Sequence, residues 1–507
     1  MTQPANRIYA LLFKVLILAY AFNQFSLISA DTDLWGHLKF GEAAWMQNSL
    51  PSTDPYSYTA EGLPWVNHEW LAEIFYYLIY AALGSTGLLV FKLALGLFII
   101  HLLSSLYFAK ENNAYIYLLI FFLLVTVIAP GFMTRPHLLT FLFLTLLVVQ
   151  LQQFFDGNLK ALAWSPLLML VWANCHGGVV AGIGIFGAVA AVEGGRCLYT
   201  GEKHGRILLG YFTLSCLALL VNPEGYKLWV FFFESLSVPR DIGEWNPVPL
   251  SGTGFLEFKI LTALFVASLF VPGRKRLWEV LIIGLAIIYG FKHQRHTVLA
   301  AIVMIPYLPL KMAEFSRRFH IQETLDGLST QVSMVLKSAI VILTVGHLFV
   351  GLSKYQTSDF KILVEPGRYP TYAAQFLLAN GINGNALVPF DWGEYFIWKL
   401  PESRVSVDGR FRTVYPDKIL RQHMAFTAGQ PEGDGLLKDF PTDLVVIRKS
   451  DPNRNFMENK TEWLKFYEDP LAKIYIRKSQ PPGPTEEKFL HKKLVDPRDP
   501  PPHVFPG

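Results

Sequence analysis

Cysteine is nearly missing from this chain, with Cys175, Cys197 and Cys216 the only three in 507 residues. Their spacing fits neither a disulfide framework nor a zinc site. Charge is scarce as well. Asp, Glu, Lys and Arg make up 17% of the residues, and the formal net charge of +4 gathers on no one segment. That excludes a nucleic-acid binder, which needs a concentrated basic surface. No internal repeat occurs, so a repeat-built transporter has no support. The first apolar run (8–29) lacks a small-residue cleavage motif and is expected to stay as a helix.

What the chain has instead is apolar length. Hydrophobic residues make up 52%, and the mean hydropathy is +0.32, too high for a soluble globule of ordinary composition. Hydropathy predicts an α-helical polytopic membrane protein with about eleven transmembrane helices. The expected spans are 8–29, 70–83, 88–107, 114–129, 138–150, a broken 162–192, 207–221, 255–271, 277–291, 297–308 and 334–352.

Lys and Arg bias then orients them, with Arg7, Arg196/Lys203/Arg206, Arg274/Lys275/Arg276 and Lys311/Arg317/Arg318 inside. This requires 162–192 to cross once, broken at Gly177-Gly178. The loops 31–69, 222–254, 292–296 and everything after 352 then lie outside, whereas Arg135-Pro136-His137 falls inside, which means either that it serves another role or that the early count is off by one span. The expected domains are a transmembrane domain (1–353) with a first external loop (30–69), a small C-terminal α/β domain (354–479), and a Pro-rich disordered tail (480–507). In the α/β domain a helix is expected at 370–379 and strands at 385–389, 404–407, 443–448 and 472–477.

Ionisable groups at a membrane boundary are costly unless they face water or a ligand. Asp31 and Asp33 follow the first span, with His37 close behind, and His68-Glu69 precedes the next helix. An aspartate here can accept the proton of an attacking hydroxyl, or it can simply cap the helix that starts at Leu34. His37, His68 and Glu69, with the aspartates, offer ligands for a divalent metal, but no spacing among them is diagnostic and the zinc-protease pattern fails, so no cofactor is assigned. Lys292, Arg295 and His296 crowd an external turn, where they would bind a lipid phosphate or snorkel to headgroups. His176 at Gly177-Gly178 lines a cavity or sits at a kink. Asp391-Trp392-Gly393 and Asp408-Gly409-Arg410 follow strands, as ligand loops and ordinary turns both do.

Two elements together resemble the GT-C glycosyltransferases, among them protein O-mannosyltransferases and lipid A aminoarabinose transferases. They are Asp33-Leu34-Trp35-Gly36-His37 after the first span and Asn67-His68-Glu69-Trp70 before the second. Leu34 stands where those enzymes often carry a second acid, and their Pro-Pro after the histidine is missing. The whole chain before the tail, nearly all of 479 residues, resembles a bacterial group of glycosyltransferase-like membrane proteins that share both of these elements. Arg135-Pro136-His137-Leu138, Trp172-Ala173-Asn174-Cys175-His176-Gly177-Gly178, Asp391-Trp392-Gly393-Glu394-Tyr395 and Asp408-Gly409-Arg410 carry that likeness.

The resemblance implies a GT-C-like fold in a bacterial inner membrane. It implies sugar transfer from a polyprenyl-phosphate donor to a glycan, lipid or protein acceptor on the external side. Asp33 would be the base, with Asp31 next. His37, His68 and Glu69 would shape the pocket, and Lys292 and Arg295, with His296 beside them, would hold the donor phosphate. The competing readings are a non-catalytic transporter or scaffold for lipid-linked glycans, and an O-antigen ligase or polymerase-like protein.

Overall fold

The computed structural model describes residues 4–107, 114–201, 203–237, 243–273, 275–318, 329–365 and 367–478, with 486–487, 490, 494–496 and 503–507. Arg274 and most of the Pro-rich tail lie outside the described residues. The chain divides into two compact units. One takes residues up to 27 and 89–360, and the other takes 28–88 and 361–507.

The first unit is helical. In lipid a backbone satisfies its own hydrogen bonds only as a helix or closed barrel, and Leu-, Ile-, Val- and Phe-rich stretches supply the apolar surface. Ile8–Phe25, Trp70–Ser105, His137–Phe155, Val179–Cys197 and Thr330–Gln356 are long and apolar enough to cross a membrane; Trp70–Ser105 runs from the second unit into this one. The pair Gln294–Met304 and Leu308–Arg318, bent by 57°, makes a sixth if taken as one span. The expected count of about eleven is therefore not reached by helices of that length among the described residues. The other apolar helices, such as Lys203–Ala218, Leu256–Ser268 and Leu277–Lys292, are shorter.

One expected span boundary changes. Trp70–Ser105 is two helices that meet at a kink at Gly84, where a break between the spans 70–83 and 88–107 is expected. Gly84 adopts φ 64° and ψ −161°, a non-helical conformation open to glycine. By contrast, the single broken span 162–192 is two helices, Ser165–Ala173 and Val179–Thr200. Gly182 of the second lies against the indole of Trp172 in the first. Ten residues of continuous helix would separate them by about 15 Å, so the chain reverses at 174–178.

The side of Arg135 is corrected as well. Phe132 stacks on Phe25, the last residue of the N-terminal helix, at 4.0 Å between ring centroids. A side chain on Gly131 would meet Val298, two residues beyond His296, at 3.4 Å. The Arg135 element therefore shares one end of the helical unit with the turn 292–296.

The second unit is built on a five-stranded sheet of order β2-β1-β3-β5-β4. The strands are β1 (Asn385–Leu387), β2 (Arg404–Val405), β3 (Leu444–Arg448), β4 (Trp463–Glu468) and β5 (Ala472–Arg477). β1 pairs in parallel with β2 and β3, while β5 is antiparallel to β3 and β4. Four consecutive buried residues, Leu444 to Ile447, make β3 the central strand. The edge strand β2 is not left open. Tyr58 donates its N–H to the Val405 carbonyl and Val405 donates to that of Tyr56, both at 3.1 Å, so the first loop lines the sheet edge.

The last residues of the tail, expected to be disordered, pack within the sheet unit. Phe505 is buried against Trp35 and Tyr80, and the Trp35 indole N–H donates to the Pro506 carbonyl at 2.9 Å.

Candidate functional site

Asp31, Asp33, His37, His68 and Glu69 belong to the unit with the sheet, and Lys292, Arg295 and His296 to the helical unit. Each set is built by its own unit.

In the first set, Asp33 stands at the N-cap of the helix Leu34–Gln47 but makes no side-chain cap bond. Asp31 accepts the Asp33 N–H at 3.0 Å and is buried, so the two aspartates hold different places. His37, one turn into the helix, faces the segment that opens the next one. Its Nδ1 lies 3.1 Å from Glu73 Oε1 and 3.9 Å from a Glu69 oxygen. His68 Nε2 lies 3.6 Å from the other Glu69 oxygen, and Asn67 donates to Glu73 at 2.6 Å. Burial alone would lower the His37 pKa. The bond to Glu73 and the charges of Glu69, Glu73 and Asp33 outweigh it, and the pKa is raised.

Ligand atoms of His37, Glu69 and Glu73 all lie within 4.8 Å of one another. One imidazole nitrogen and two carboxylates form a donor set that fits a divalent cation, provided the imidazole is deprotonated. Glu73 was not anticipated. Its signal was present, since i and i+4 share a helix face and Glu73 follows Glu69 by four residues.

The C-terminal loops complete this side of the unit. Asp408-Gly409-Arg410 is more than a turn. The Arg410 guanidinium is buried, held by both oxygens of Asp408 (2.9 and 2.6 Å) and by Asp54 of the first loop at 2.7 Å. It stacks over Phe40, Tyr56 and Trp65 at 4.7–5.2 Å. Tyr415 donates its hydroxyl to Asp408 at 2.6 Å. Burial opposes the charge on Arg410, yet the carboxylates hold its pKa well above the ordinary value. Glu394, an unremarked position in Asp391-Trp392-Gly393-Glu394-Tyr395, is buried and accepts the Gly36 N–H at 3.1 Å.

In the helical unit, the turn 292–296 docks on the loop 243–248. Gln294 N–H donates to the Asn246 carbonyl at 3.0 Å, and His293 Nδ1 to that of Trp245 at 2.8 Å. Arg295 pairs with Glu244 at 2.9 Å and lies over the Trp245 ring at 4.9 Å. Its charge is thus partly answered within the turn, whereas Lys292 is exposed. His296 packs edge-on to Trp245 and His293. At the same end, His176 Nδ1 accepts the Gly178 N–H at 2.9 Å and lies 2.8 Å from Thr140 Oγ1, which also accepts from the Trp172 indole. His137 donates to the Gly131 carbonyl at 2.7 Å.

Among solved structures, this fold is similar to the oligosaccharyltransferase of Archaeoglobus fulgidus in its apo form. The match has a TM-score of 0.54 at 11% identity, over 86% of this chain and 69% of that one. It is similar also to the oligosaccharyltransferase AglB of that organism in complex with an inhibitory peptide and a dolichol-phosphate. That match has a TM-score of 0.56 at 10% identity, over the same shares. No family model and no curated protein matches the sequence. At such identities the likeness is one of fold: this chain is a multi-pass membrane protein built on the fold of the archaeal oligosaccharyltransferase.

Proposed function

We propose that this chain is a membrane glycosyltransferase that moves a sugar from a polyprenyl-phosphate donor to an acceptor on the external face of a bacterial inner membrane. The observation that carries the reading is the fold it shares, over 86% of its length, with an enzyme captured with a dolichol-phosphate and a peptide. A glycan, a lipid or a protein would serve as acceptor.

Asp33 is assigned as the base that takes the proton of the acceptor nucleophile as the glycosidic bond to phosphate breaks. Asp31, bonded to the Asp33 N–H, holds the turn that presents it. His37, His68 and Glu69 shape the acidic wall of that pocket. Lys292, exposed in the basic turn, and Arg295, set by Glu244, are assigned to the donor phosphate, with His296 beside them. His37, Glu69 and Glu73 would hold a divalent cation, which would add positive charge to offset anionic groups of the substrates.

The test is lipid binding by the purified full chain. Undecaprenyl phosphate and an uncharged polyprenol of the same length are titrated into the wild type, Lys292→Ala and the Lys292→Ala/Arg295→Ala pair. The expected result is phosphate-dependent binding, weaker in the single variant and lost in the pair. Equal binding of both lipids by the wild type would overturn the donor assignment and leave a scaffold role.

A further inference from the structure

Helix starts leave backbone N–H groups without intrahelical partners, and an aspartate at the N-cap ordinarily accepts one of them, at the second or third helical residue. Asp33 occupies that place for Leu34–Gln47 and does not make the bond. The N–H of Gly36, the third helical residue, goes to Glu394 Oε2 at 3.1 Å instead, across 358 residues of sequence. Glu394 is 3% exposed, so the carboxylate is committed to the interior of the unit.

The packing leaves little alternative. A side chain on Gly36 would run into the Glu394 carboxylate. One on Gly409 would lie 2.6 Å from Glu394 Oε1 and 2.6 Å from Asp33 Oδ1. The two oxygens are therefore no further apart than twice that distance, side by side over a glycine backbone. Gly393 is equally confined, since an added Cβ would lie 2.7 Å from the Asp408 Cα. Glycines at 36, 393 and 409 thus make the space in which a second carboxylate reaches the helix start.

We propose that Glu394 is a positioning residue for Asp33: it caps the helix in place of Asp33, so that the Asp33 carboxylate, which accepts from Thr32 Oγ1 at 3.2 Å, is not drawn onto the N–H groups of the helix start. The proposal rests on the assignment of Asp33 as the base. It fits an N-cap aspartate whose backbone, at φ −92° and ψ −3°, lies outside the extended range of a capping residue. It also gives Glu394 of Asp391-Trp392-Gly393-Glu394-Tyr395 a role distinct from turn formation.

Two measurements on the full chain separate this proposal from the reading beneath it. The first is amide exchange by mass spectrometry over the first turn of Leu34–Gln47. Asp33→Ala should leave exchange unchanged, and adding Glu394→Ala should speed it roughly fivefold, the effect of losing one cap bond. Faster exchange in Asp33→Ala alone, with no further change in the double variant, would make Asp33 the cap and overturn the proposal whatever the activity.

The second is the rate of polyprenyl phosphate release from a lipid-linked sugar extract of the host membranes. Glu394→Ala lets Asp33 fall back into the vacant cap, so kcat should drop towards that of Asp33→Asn, and the double variant should be no worse. Glu394→Gln keeps an acceptor oxygen for Gly36 and should recover most of the rate. If Glu394→Ala lowers thermal stability but leaves kcat intact, the residue is structural only and the proposal falls. Full activity in Asp33→Asn with the exchange pattern as expected would instead remove the base assignment and leave Glu394 as the cap.

Discussion

The guanidinium of Arg410 meets the carboxylate of Asp54 at 2.7 Å, joining residues 356 positions apart. Asp54 also accepts from Ser57 and from the Tyr56 N–H, so it orders the first loop and holds it to the C-terminal loops in one bond network. The two buried carboxylates share one cation, and hydroxyl and backbone N–H donors from Tyr415, Ser57, Tyr56 and Arg410 answer the remaining negative charge, which is what allows them to be buried.

Removing that cation should be costly. Arg410→Ala leaves Asp408 and Asp54 buried without their counter-charge, and the expected loss is about 3–5 kcal/mol. Arg410→Lys restores charge without the fork and the ring stacking, and should recover only part of it. Thermal unfolding of the full chain in detergent checks both. An Ala variant as stable as the wild type would show that the network is dispensable.

The two aspartates should separate by phenotype. Asp33→Asn is expected to abolish sugar transfer while leaving the melting temperature within error. Asp31→Ala is expected to lower stability by about 1 kcal/mol through the lost bond to the Asp33 N–H. Transfer assays and melting curves on the same preparations decide it. A fully active Asp33→Asn enzyme would remove the base assignment.

A proton and a metal compete at His37. With the pKa of His37 raised by Glu73 and Glu69, a divalent cation has to displace a proton to reach the nitrogen. Mn2+ titrated into the full chain and followed by its paramagnetic resonance should therefore bind more tightly at pH 8 than at pH 6. Glu73→Gln should abolish the site. Binding independent of both pH and Glu73 would place the cation elsewhere.

His423 should make the sheet unit acid-sensitive. It is 1% exposed, neither ring nitrogen has a hydrogen-bond partner among the described residues, and burial pushes its pKa down to about 4. The unfolded chain takes up a proton near pH 6.5 that the folded chain refuses, so stability is full above pH 6.5 and falls as the pH drops towards 4. The loss is about 3 kcal/mol across that window. His423→Leu should flatten the dependence, read from amide exchange in the helix Asp417–Thr427 at pH 4.5 and 7.5. Equal pH dependence in both proteins would assign the acid sensitivity to other groups.

Much of this protein is legible along the chain, because some properties are set by local composition. A high mean hydropathy with sparse charge requires a lipid environment whatever the packing. The alternation and β-branching around Leu444–Arg448 and Ala472–Arg477 mark strands, although Trp463–Glu468, with Lys and Glu at its exposed positions, went unread. Hydropathy measures apolar length and not direction, so it does not show that the chain reverses at 174–178 or which end of the helical unit holds Arg135.

The candidate site divides in the same way. Asp31, Asp33, His37, His68 and Glu69 stand out in sequence because polar groups beside an apolar run carry a local cost. Glu394 and Arg410 stand out only as members of the Asp391–Tyr395 and Asp408–Arg410 elements, with nothing to say what they reach, and Asp54 looks like an ordinary loop residue. Only folding brings Glu394 to the Gly36 N–H and Arg410 to Asp54. Which acceptor meets the N–H at the start of that helix is decided by a residue more than 350 positions away.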